Sequence, residues 1–417
     1  MTSDHDDVER RIYVGLASHT GDKVQPAGLM KVVRQGVVES GEFAYGRRYL
    51  QAPDAEPLNP EHLPLRNAAF VLPERRIRDG GAMPLTLRDA LPDSWGRKVL
   101  EIRQGRPLSD IDALLLTNDD RIGAMVFSES LPIESGAPPS ALLSLEALAQ
   151  ASRRIEAGLE IGPDMHRLLR GGSLGGARPK AAFVHEGRRH IAKFASRGDD
   201  HDVEVIEAAT LWLADACGIT VPPFVLQPLA VGHALLVERF DRAGPVDDEQ
   251  RFHYLSASAL LDVPYESSLG SYVELAQLLR RISLRPQEDL AELFRRLVFN
   301  LAVGNSDDHV KNHGALRQGQ AWRLAPAFDL VMQLGGHTGY QELAILAGRH
   351  ASSLALAREA APHFGLTAME AEEIILAIGE TVAVHAAASV ASAGGDGALV
   401  RRVAAFIEQQ AERIDAQ

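Results

Sequence analysis

The nine residues GNSDDHVKN, at positions 304–312, are the part of the sequence that most restricts the fold. They follow a segment, residues 287–303, whose apolar side chains recur at helical spacing and so predict an amphipathic helix that ends at Gly304. Between positions 305 and 313 the polar loop carries seven side chains that could take part in chemistry: Asn305, Asp307, Asp308, His309, Lys311, Asn312 and His313. Solubility alone does not require this composition, so the loop is predicted to be functional.

The segments on either side of this loop each supply something that phosphoryl transfer needs. Residues 170–180, RGGSLGGARPK, form a glycine-rich turn whose backbone N–H groups could approach phosphate oxygens. The next segment predicts a β-hairpin that turns at residues 186–188, with Lys193 on its second strand as a point charge for phosphates. The remaining predicted elements are, in order, a helix over 202–216, strands over 233–240 and 322–330, and mostly helices to the end of the chain.

The polar loop and the last predicted strand could complete such a site. Asp307 could position or deprotonate a hydroxyl nucleophile, while Asn312 and Asp329 could hold a magnesium ion. The glycine-rich turn is not a Walker A loop, because Ala177 stands where that motif has its lysine. Glycine clusters usually mark turns, so the interpretation depends on the ordered set of elements rather than on this one segment.

A metal site is a second interpretation of the same loop. Asp307, Asp308, His309 and His313 could bind the divalent metal of a hydrolase, since His and carboxylate clusters suit several such metals. This interpretation leaves the hairpin lysine, the glycine-rich turn and the late aspartate without roles. The order of the elements along the chain therefore favours a kinase.

The first third of the chain predicts a separate region of mixed structure. Residues 11–16 and 121–128 read as strands, and residues 52–65 carry four prolines and no helical period, which predicts a loop or an extended arm. Helical spacing occurs over residues 85–100, where a proline interrupts it. The segment GAPPS, at 136–140, has the composition of a connector and marks a domain boundary.

The composition limits the class of protein and its compartment. The chain has 417 residues, of which 46% are hydrophobic and 24% charged, as in globular proteins with two or three domains. Its single cysteine allows no disulfide within the chain, which fits a reducing, cytoplasmic compartment. The acidic N-terminus and the lack of an apolar run of about 18 residues predict neither an export signal nor a membrane span. A net charge of −13 argues against direct, broad binding to DNA, which a partner would have to bring.

In this order the motifs resemble those of the HipA family, bacterial serine/threonine-protein kinases that act as toxins of type II toxin–antitoxin pairs. The matching segments are SLGGARPK at 173–180, HIAKF at 190–194, VERFDR at 237–242, GNSDDHVKN at 304–312 and AFDL at 327–330. The N-terminal segments FAYGRRYL, PLNPEHLPL, LPDSWGR and GAMVF also resemble the N-terminal subdomain of that family. The resemblance therefore covers nearly the whole chain.

The resemblance implies a role for each matched residue in the catalytic region. Asp307 would be the catalytic aspartate, and Lys311 would stabilise the transferring phosphate from the same loop. Lys193 would contact the ATP phosphates. Asn312 and Asp329 would be the magnesium ligands, so that ATP and Mg²⁺ are the implied cofactors.

The resemblance also implies nucleotide contacts outside the catalytic loop. Glu238 and Phe240 match the hinge segment that meets adenine, and Gly175 and Gly176 match the glycine-rich loop. Ser173 matches the serine that such kinases autophosphorylate, a reaction that ejects this loop and blocks ATP binding. Adding about two negative charges beside a site built for phosphates would have that effect by repulsion.

The fold that the resemblance implies is α+β and two-lobed, like a protein kinase, with ATP between a small β-rich lobe and a helical C-terminal lobe. The boundaries expected are an N-terminal mixed α/β subdomain over 1–135, the N-lobe over 136–245 and the C-lobe over 246–417. No catalytic position of the motifs is lost. The glutamate that pairs with the strand lysine stays open, because Glu204 and Glu207 lie one turn apart on the next predicted helix.

Three functions remain possible on this reading. The first is a protein kinase whose substrate, as in the family, is a translation component such as an aminoacyl-tRNA synthetase. The second is a co-repressor that binds a HipB-like helix-turn-helix antitoxin, with DNA bound only through that partner and no membrane involved. The third is a small-molecule kinase with the same fold. A short, basic helix-turn-helix protein encoded beside this one would support the toxin–antitoxin pair.

Overall fold

The structure is a computed structural model, and it describes residues 8–17, 24–117, 120–133, 144–159, 178–335 and 339–416. These residues form two compact units. The first unit holds the described residues up to 133 together with residues 241–255, and the second holds residues 144–159, 178–240 and the described residues from 256 onward.

The elements below are numbered along the described part of the chain. The strands are β1 Val8–Ala17, β2 Val24–Gln35, β3 Val38–Tyr45, β4 Phe70–Arg76, β5 Met125–Ser128, β6 Lys180–His185, β7 Arg188–Phe194, β8 Phe224–Pro228, β9 His233–Glu238, β10 Arg242–Ala243, β11 Gln250–Arg251, β12 Tyr254–Ser256, β13 Gly314–Gln318 and β14 Ala321–Leu324. The helices are α1 Arg47–Leu50, α2 Leu85–Arg88, α3 Ser94–Gln104, α4 Asp110–Leu116, α5 Leu145–Glu156, α6 Val203–Ala216, α7 Ala257–Leu261, α8 Tyr272–Ile282, α9 Pro286–Ala302, α10 Leu354–Ala360, α11 Ala368–Ser392 and α12 Gly397–Ala416.

The first unit is built on a five-stranded sheet in the order β4-β3-β2-β1-β5. Alternate residues of the central strands, among them Ile12, Met30 and Phe43, are fully buried on one face, as the two-residue period of a strand requires. The predicted strand at 11–16 is confirmed as part of β1. The strand predicted over 121–128 is confirmed only for β5, because Gly123 has a left-handed backbone, with φ of 77°, that a strand does not allow.

The helical segment predicted over 85–100 is two helices, α2 and α3, separated around the proline. The segment 241–255 also belongs to this unit, where two buried charged side chains, Asp241 and Arg242, hold it. The backbone N–H of Gly123 donates to Asp241 Oδ2 at 2.7 Å, and Arg242 Nη1 donates to the same oxygen at 2.6 Å and to Gly123 O at 3.1 Å. Asp241 and Arg242 therefore serve the packing of this unit.

The second unit begins with a four-stranded antiparallel sheet in the order β6-β7-β9-β8. The predicted hairpin is confirmed: β6 and β7 are joined at Glu186 and Gly187, whose φ angles of 48° and 74° are those of a type I′ turn. The predicted helix that follows is α6, and Asp202 caps it by accepting a hydrogen bond from the N–H of Val205. Alanines and larger apolar residues of β6, β7 and β9, with Leu148 of α5, form the core beside this sheet.

Helices make up most of the rest of the second unit. The predicted amphipathic helix is confirmed as α9, which buries Leu290, Phe294 and Leu297 and ends just before the polar loop. The strand predicted over 322–330 is wrong beyond Leu324. The partner strand β13 begins at Gly314, which already accepts the N–H of Ala325, so no further strand residue is left to pair with the chain that follows.

Helix α11 is long and apolar enough, by length and composition alone, to cross a membrane, and it is the one such helix among the described residues. Its mean hydropathy reaches 1.8 over 18 residues. In the second unit it packs against α6, α9 and α12. The buried residues recur every three or four positions along one side: Ala371, Ile375, Ile378, Val382, Ala386 and Val390.

Candidate active site

The centre of the candidate site is a largely buried lysine held between two carboxylates. Lys193 lies near the end of β7, and its Nζ donates to Glu207 Oε1 at 2.5 Å and to the carboxylate of Asp329. The lysine side chain is 12% exposed and that of Glu207 only 6%. The structure therefore settles the choice that spacing left open, and Glu207 is the partner of Lys193.

The charges in this cluster favour the ionised forms of Lys193 and Asp329. Burial would lower the pKa of Lys193, but Asp329 and Glu207 outweigh burial, so the pKa of Lys193 is raised. Burial would raise the pKa of Asp329, but Lys193 and Lys180 outweigh it and hold the pKa of Asp329 low. Lys180, buried directly across from Lys193 in the strand register, is a cation that the sequence analysis did not assign.

Asp329 stands in an unusual backbone conformation. Its φ of 53° is in the left-handed region, which an aspartate adopts more readily than most residues but still at a cost of about 1 kcal/mol or more. The preceding residue, Phe328, stacks on Phe240 with ring centroids 5.4 Å apart. A carboxylate on a strained backbone, fixed by a largely buried lysine, is typical of a functional site.

Asp307 is the accessible acid of the polar loop. Burial raises its pKa, and the negative charges of Glu342, Asp308 and Asp329 add to this effect, while His309 opposes it. A raised pKa makes a carboxylate a better proton acceptor at neutral pH. Because the charge of Asp329 helps to raise the pKa of Asp307, the two carboxyl groups lie within the range of electrostatic interaction.

Asn312 lies at the other end of this loop turn. Its Nδ2 is 3.4 Å from the backbone carbonyl oxygen of Asp307, and its N–H donates to His309 O at 2.8 Å. Amide and carboxylate oxygens are ligands that Mg²⁺ prefers, so the donor set of Asn312 and Asp329 fits that ion. Among the described residues, no group of three or more His, Cys, Asp or Glu could hold a metal.

Other predicted residues of the loop have partners of their own. Lys311 Nζ lies 4.7 Å from the ring centroid of Tyr265, a cation–π contact. Asp308 and His313, which the metal interpretation used as ligands, are both buried and hydrogen-bonded to each other at 3.1 Å. The structure thus separates an accessible Asp307 from a buried Asp308 next to it.

The predicted adenine contacts lie on and after β9. The Glu238 carboxylate accepts a hydrogen bond from Arg188 Nη1 at 2.9 Å, and its N–H donates to Pro223 O at 2.8 Å. The ring of Phe240 is the one that stacks on Phe328, so this segment reaches the residue before Asp329. Ser173, Gly175 and Gly176, predicted to form the phosphate-binding loop, lie outside the described residues.

Arg178 anchors the described chain that follows the glycine-rich segment. Its guanidinium donates to both oxygens of Asp199, at 2.8 and 2.6 Å, and to Glu204 Oε1 at 3.3 Å. Glu204 is buried on the first turn of α6, one turn before Glu207. Burial raises the pKa of Glu204 to about 7, although Arg178 lowers it in part.

This raised pKa predicts a pH-dependent stability. Between its ordinary value of 4.5 and about 7, the folded chain keeps a proton on Glu204 that the unfolded chain has lost, so stability falls as pH rises. We expect Glu204→Gln to flatten this fall and to be more stable than wild type at pH 8, by on the order of 1 kcal/mol. Thermal unfolding at pH 5 and pH 8 measures it, with the exposed Glu373→Gln as control. A variant less stable than wild type at pH 8 would contradict the prediction.

Comparisons with known proteins agree on one family. The family model described as HipA-like C-terminal domain matches residues 172–386, just over half of the chain. A Sinorhizobium fredii protein named "Putative kinase Y4mE" is 30% identical over 318 residues, which are 69% of this chain and 71% of that protein. The "Serine/threonine-protein kinase toxin HipA" of Shewanella oneidensis is 26% identical over 188 residues, which are 38% of this chain and 42% of that protein.

A solved structure shows the same fold over nearly the full length. It is the Shewanella oneidensis MR-1 toxin–antitoxin system of HipA, HipB and its operator DNA, with a TM-score of 0.69 at 17% identity, covering 97% of this chain and 96% of that one. The predicted α+β, protein-kinase-like fold is thereby confirmed. With the family model and the relatives in agreement, the chain belongs to the HipA-like C-terminal domain family.

Proposed function

We propose that this chain is an ATP- and magnesium-dependent serine/threonine-protein kinase that acts in the cytoplasm. The observation that carries the proposal is the ion-paired cluster of Lys193, Glu207 and Asp329 beside the accessible Asp307. A cation fixed by two carboxylates, an acid with a raised pKa and a side-chain amide in the same loop are the groups that phosphoryl transfer uses. Two similar proteins have names that describe them as kinases, which supports the same conclusion.

The reaction proposed needs one proton transfer and one displacement. The hydroxyl oxygen of the substrate forms a bond to the γ-phosphorus, the bond from that phosphorus to the ADP oxygen breaks, and Asp307 takes the hydroxyl proton. Lys193 neutralises phosphate charge from a position that Glu207 holds. Lys311 lies in the same loop, and we propose that its ammonium stabilises the transferring phosphate.

Magnesium, when bound, would neutralise the charge on the phosphates and orient them. Asn312 and Asp329 are the residues proposed to hold it. The carboxylate of Asp329 contacts Lys193, so the lysine proposed to bind the phosphates lies next to a residue proposed to hold the metal. For the base, we propose that backbone groups of the segment at Glu238 and Phe240 contact adenine, with the Phe240 and Phe328 rings beside it.

Autophosphorylation tests the proposal directly. We expect purified wild type, incubated with ATP and Mg²⁺, to gain one phosphate on Ser173 and to gain none when EDTA removes the metal. Mass spectrometry of the digested protein locates the phosphate, and Ser173→Ala serves as the control for the site. A protein that neither gains phosphate nor turns over ATP would contradict the kinase proposal. ATP turnover only with an added metabolite would indicate a small-molecule kinase.

The toxin–antitoxin setting is part of the same proposal. The solved structure of similar fold contains HipB and operator DNA, and we propose that this chain also binds a HipB-like helix-turn-helix antitoxin. Its net charge of −13 favours DNA contact through a basic partner rather than through this chain. We propose a translation component, such as an aminoacyl-tRNA synthetase, as the protein substrate.

A further inference from the structure

Five buried polar side chains form a continuous hydrogen-bonded chain from two helices into the polar loop. Each is at most 3% exposed, and they come from α8, from α9 and from the loop itself: Tyr272, Asn300, Asn305, Asp308 and His313. None of them has a role in the reaction proposed above. Burying a polar group is costly unless it is hydrogen-bonded. A connected series of five buried polar side chains therefore needs an explanation.

The chain ends on the side chain of Asp308. Asn305 Nδ2 donates to Asn300 Oδ1 at 3.1 Å, and Asn300 Nδ2 donates to the Tyr272 hydroxyl oxygen at 2.9 Å. That hydroxyl donates to Asp308 Oδ2 at 2.5 Å. His313 Nε2 donates to the same carboxylate from the opposite end of the loop, at 3.0 to 3.1 Å.

The backbone on both sides of Asp307 is held as well. The N–H of Glu342 donates to the carbonyl oxygen of Ser306 at 3.0 Å, and the N–H of Leu343 donates to that of Asp308 at 2.8 Å. Asp307 is thus an accessible residue between two neighbours whose carbonyl groups are fixed by consecutive residues of another segment. Of these two neighbours, Asp308 is the one that the buried chain also holds through its side chain.

Asp308 is stable in this place only as a hydrogen-bonded anion. Burial alone would raise the pKa of Asp308, but the charge and hydrogen bond of His313 and the hydrogen bond of Tyr272 outweigh burial and lower it. Losing one donor leaves a buried carboxylate that is under-satisfied, and such groups move toward water or toward another partner. Movement of Asp308 would displace Asp307, because consecutive residues share a peptide plane.

We infer that Tyr272 is a positioning residue for Asp307, acting through the side chain of Asp308. The inference rests on the proposed kinase function. Tyr272 is rigid because it is buried at the start of α8 and because Asn300 holds its hydroxyl from the other side. The hydroxyl group is therefore held in a fixed position in the helical part of the second unit, and its hydrogen bond to Asp308 holds the loop in place.

The test removes that one oxygen with Tyr272→Phe and compares kinetics with stability. We expect kcat for phosphate transfer to fall by about 10- to 100-fold, because small misplacements of a catalytic group cost rates of this order, while KM for ATP stays within about twofold. The matched control is Tyr45→Phe in the first unit, which also removes a buried hydroxyl with two hydrogen bonds, to Leu63 O at 2.5 Å and from the N–H of Leu58 at 2.8 Å. The control should keep the wild-type kcat.

A second measurement separates failure of the inference from failure of the kinase proposal. Hydrogen exchange of the Leu343 amide, which is bonded to Asp308 O, should speed up at least tenfold in Tyr272→Phe and stay unchanged in Tyr45→Phe. A folded Tyr272→Phe with wild-type kcat and wild-type exchange at Leu343 overturns the inference. If wild type transfers no phosphate and the exchange still changes, the kinase proposal fails and the anchoring of the loop stands.

Discussion

Replacing Asp307 with alanine is expected to slow phosphate transfer by about 10³-fold or more, within the range that removal of a general base produces. KM for ATP should change by less than about threefold, because KM reports the binding of ATP before the reaction and Asp307 is not proposed to bind ATP. The nucleotide phosphates would meet Lys193 and the metal site, which this substitution leaves in place. The loss should therefore be in kcat.

The structure gives two reasons for so large an effect on rate with little effect on folding. Asp307 is exposed, so its removal creates no cavity. Its neighbours Ser306 and Asp308 keep the loop in place through their own hydrogen bonds. What is lost is the proposed proton acceptor, whose pKa is raised by partial burial of the carboxyl group and by nearby carboxylates.

The measurement is the initial rate of phosphate transfer at saturating ATP, with the melting temperature taken in parallel. Asp79→Ala, which removes an exposed carboxylate in the first unit, is the matched control and should keep the full rate. Asp307→Asn should be as slow as the alanine variant, because an amide accepts no proton at neutral pH. An Asp307→Ala protein that keeps more than a tenth of the wild-type rate would contradict the proposed role.

The central groups of the candidate site could be proposed from the sequence because each has a local signal. Lys193 stands on an alternating strand after a glycine-rich turn, and Asp307 and Asn312 stand in a polar loop after a helix with a clear apolar face. The hairpin and the helices around them follow the two periods that side-chain burial imposes. These are short-range patterns, which is why they can be read from one chain.

Contacts between distant segments carry no such signal. Tyr272 lies 36 positions before Asp308, and nothing near either residue indicates that they touch. Glu204 and Glu207 have similar positions on α6, and only the placement of Arg178 and Lys193 assigns one to each. Tertiary packing, rather than spacing, decides these pairs.

The error in the strand predicted over 322–330 has a similar cause. The apolar residues there suggested a strand, but a strand needs a partner, and β13 ends the pairing at Gly314. The chain then enters the turn that puts Asp329 at a φ of 53°. A local departure from propensity at a site residue is what a functional constraint produces.

The second large effect is expected for Lys193→Met, which should lower kcat/KM for phosphate transfer by about 100-fold or more, or about 2.7 kcal/mol of transition-state stabilisation. The methionine keeps much of the length and the apolar stem but has no charge. Two carboxylates, Glu207 and Asp329, are then left facing each other without the cation between them. The phosphates of a nucleotide would meet that negative charge.

The same change should destabilise the fold at neutral pH. Breaking a buried ion pair by removing one partner costs about 3 to 5 kcal/mol, and we expect about 2 to 3 here because Asp329 is about a third exposed. The pKa of Asp329 is low in the folded wild type, so its contribution to stability is present above its ordinary pKa of 3.8 and is lost as pH falls below it. The raised pKa of Lys193 gives a contribution that is lost only as pH rises above 10.5. Between these two pH limits, the wild-type protein should be more stable than Lys193→Met.

A double variant separates the two effects of Lys193. Adding Glu207→Gln to Lys193→Met removes one of the facing carboxylates, so the melting temperature should recover by at least half of the loss while phosphate transfer stays as slow. Lys98→Met, on the exposed side of α3, controls for the loss of a lysine and should change neither quantity. Thermal unfolding at pH 7 gives the melting temperature, urea unfolding gives the free energy of unfolding, and initial rates over a range of ATP concentrations give kcat/KM. If the double variant regains activity together with stability, Lys193 acts only by neutralising the two carboxylates, and its proposed contact with the ATP phosphates is wrong.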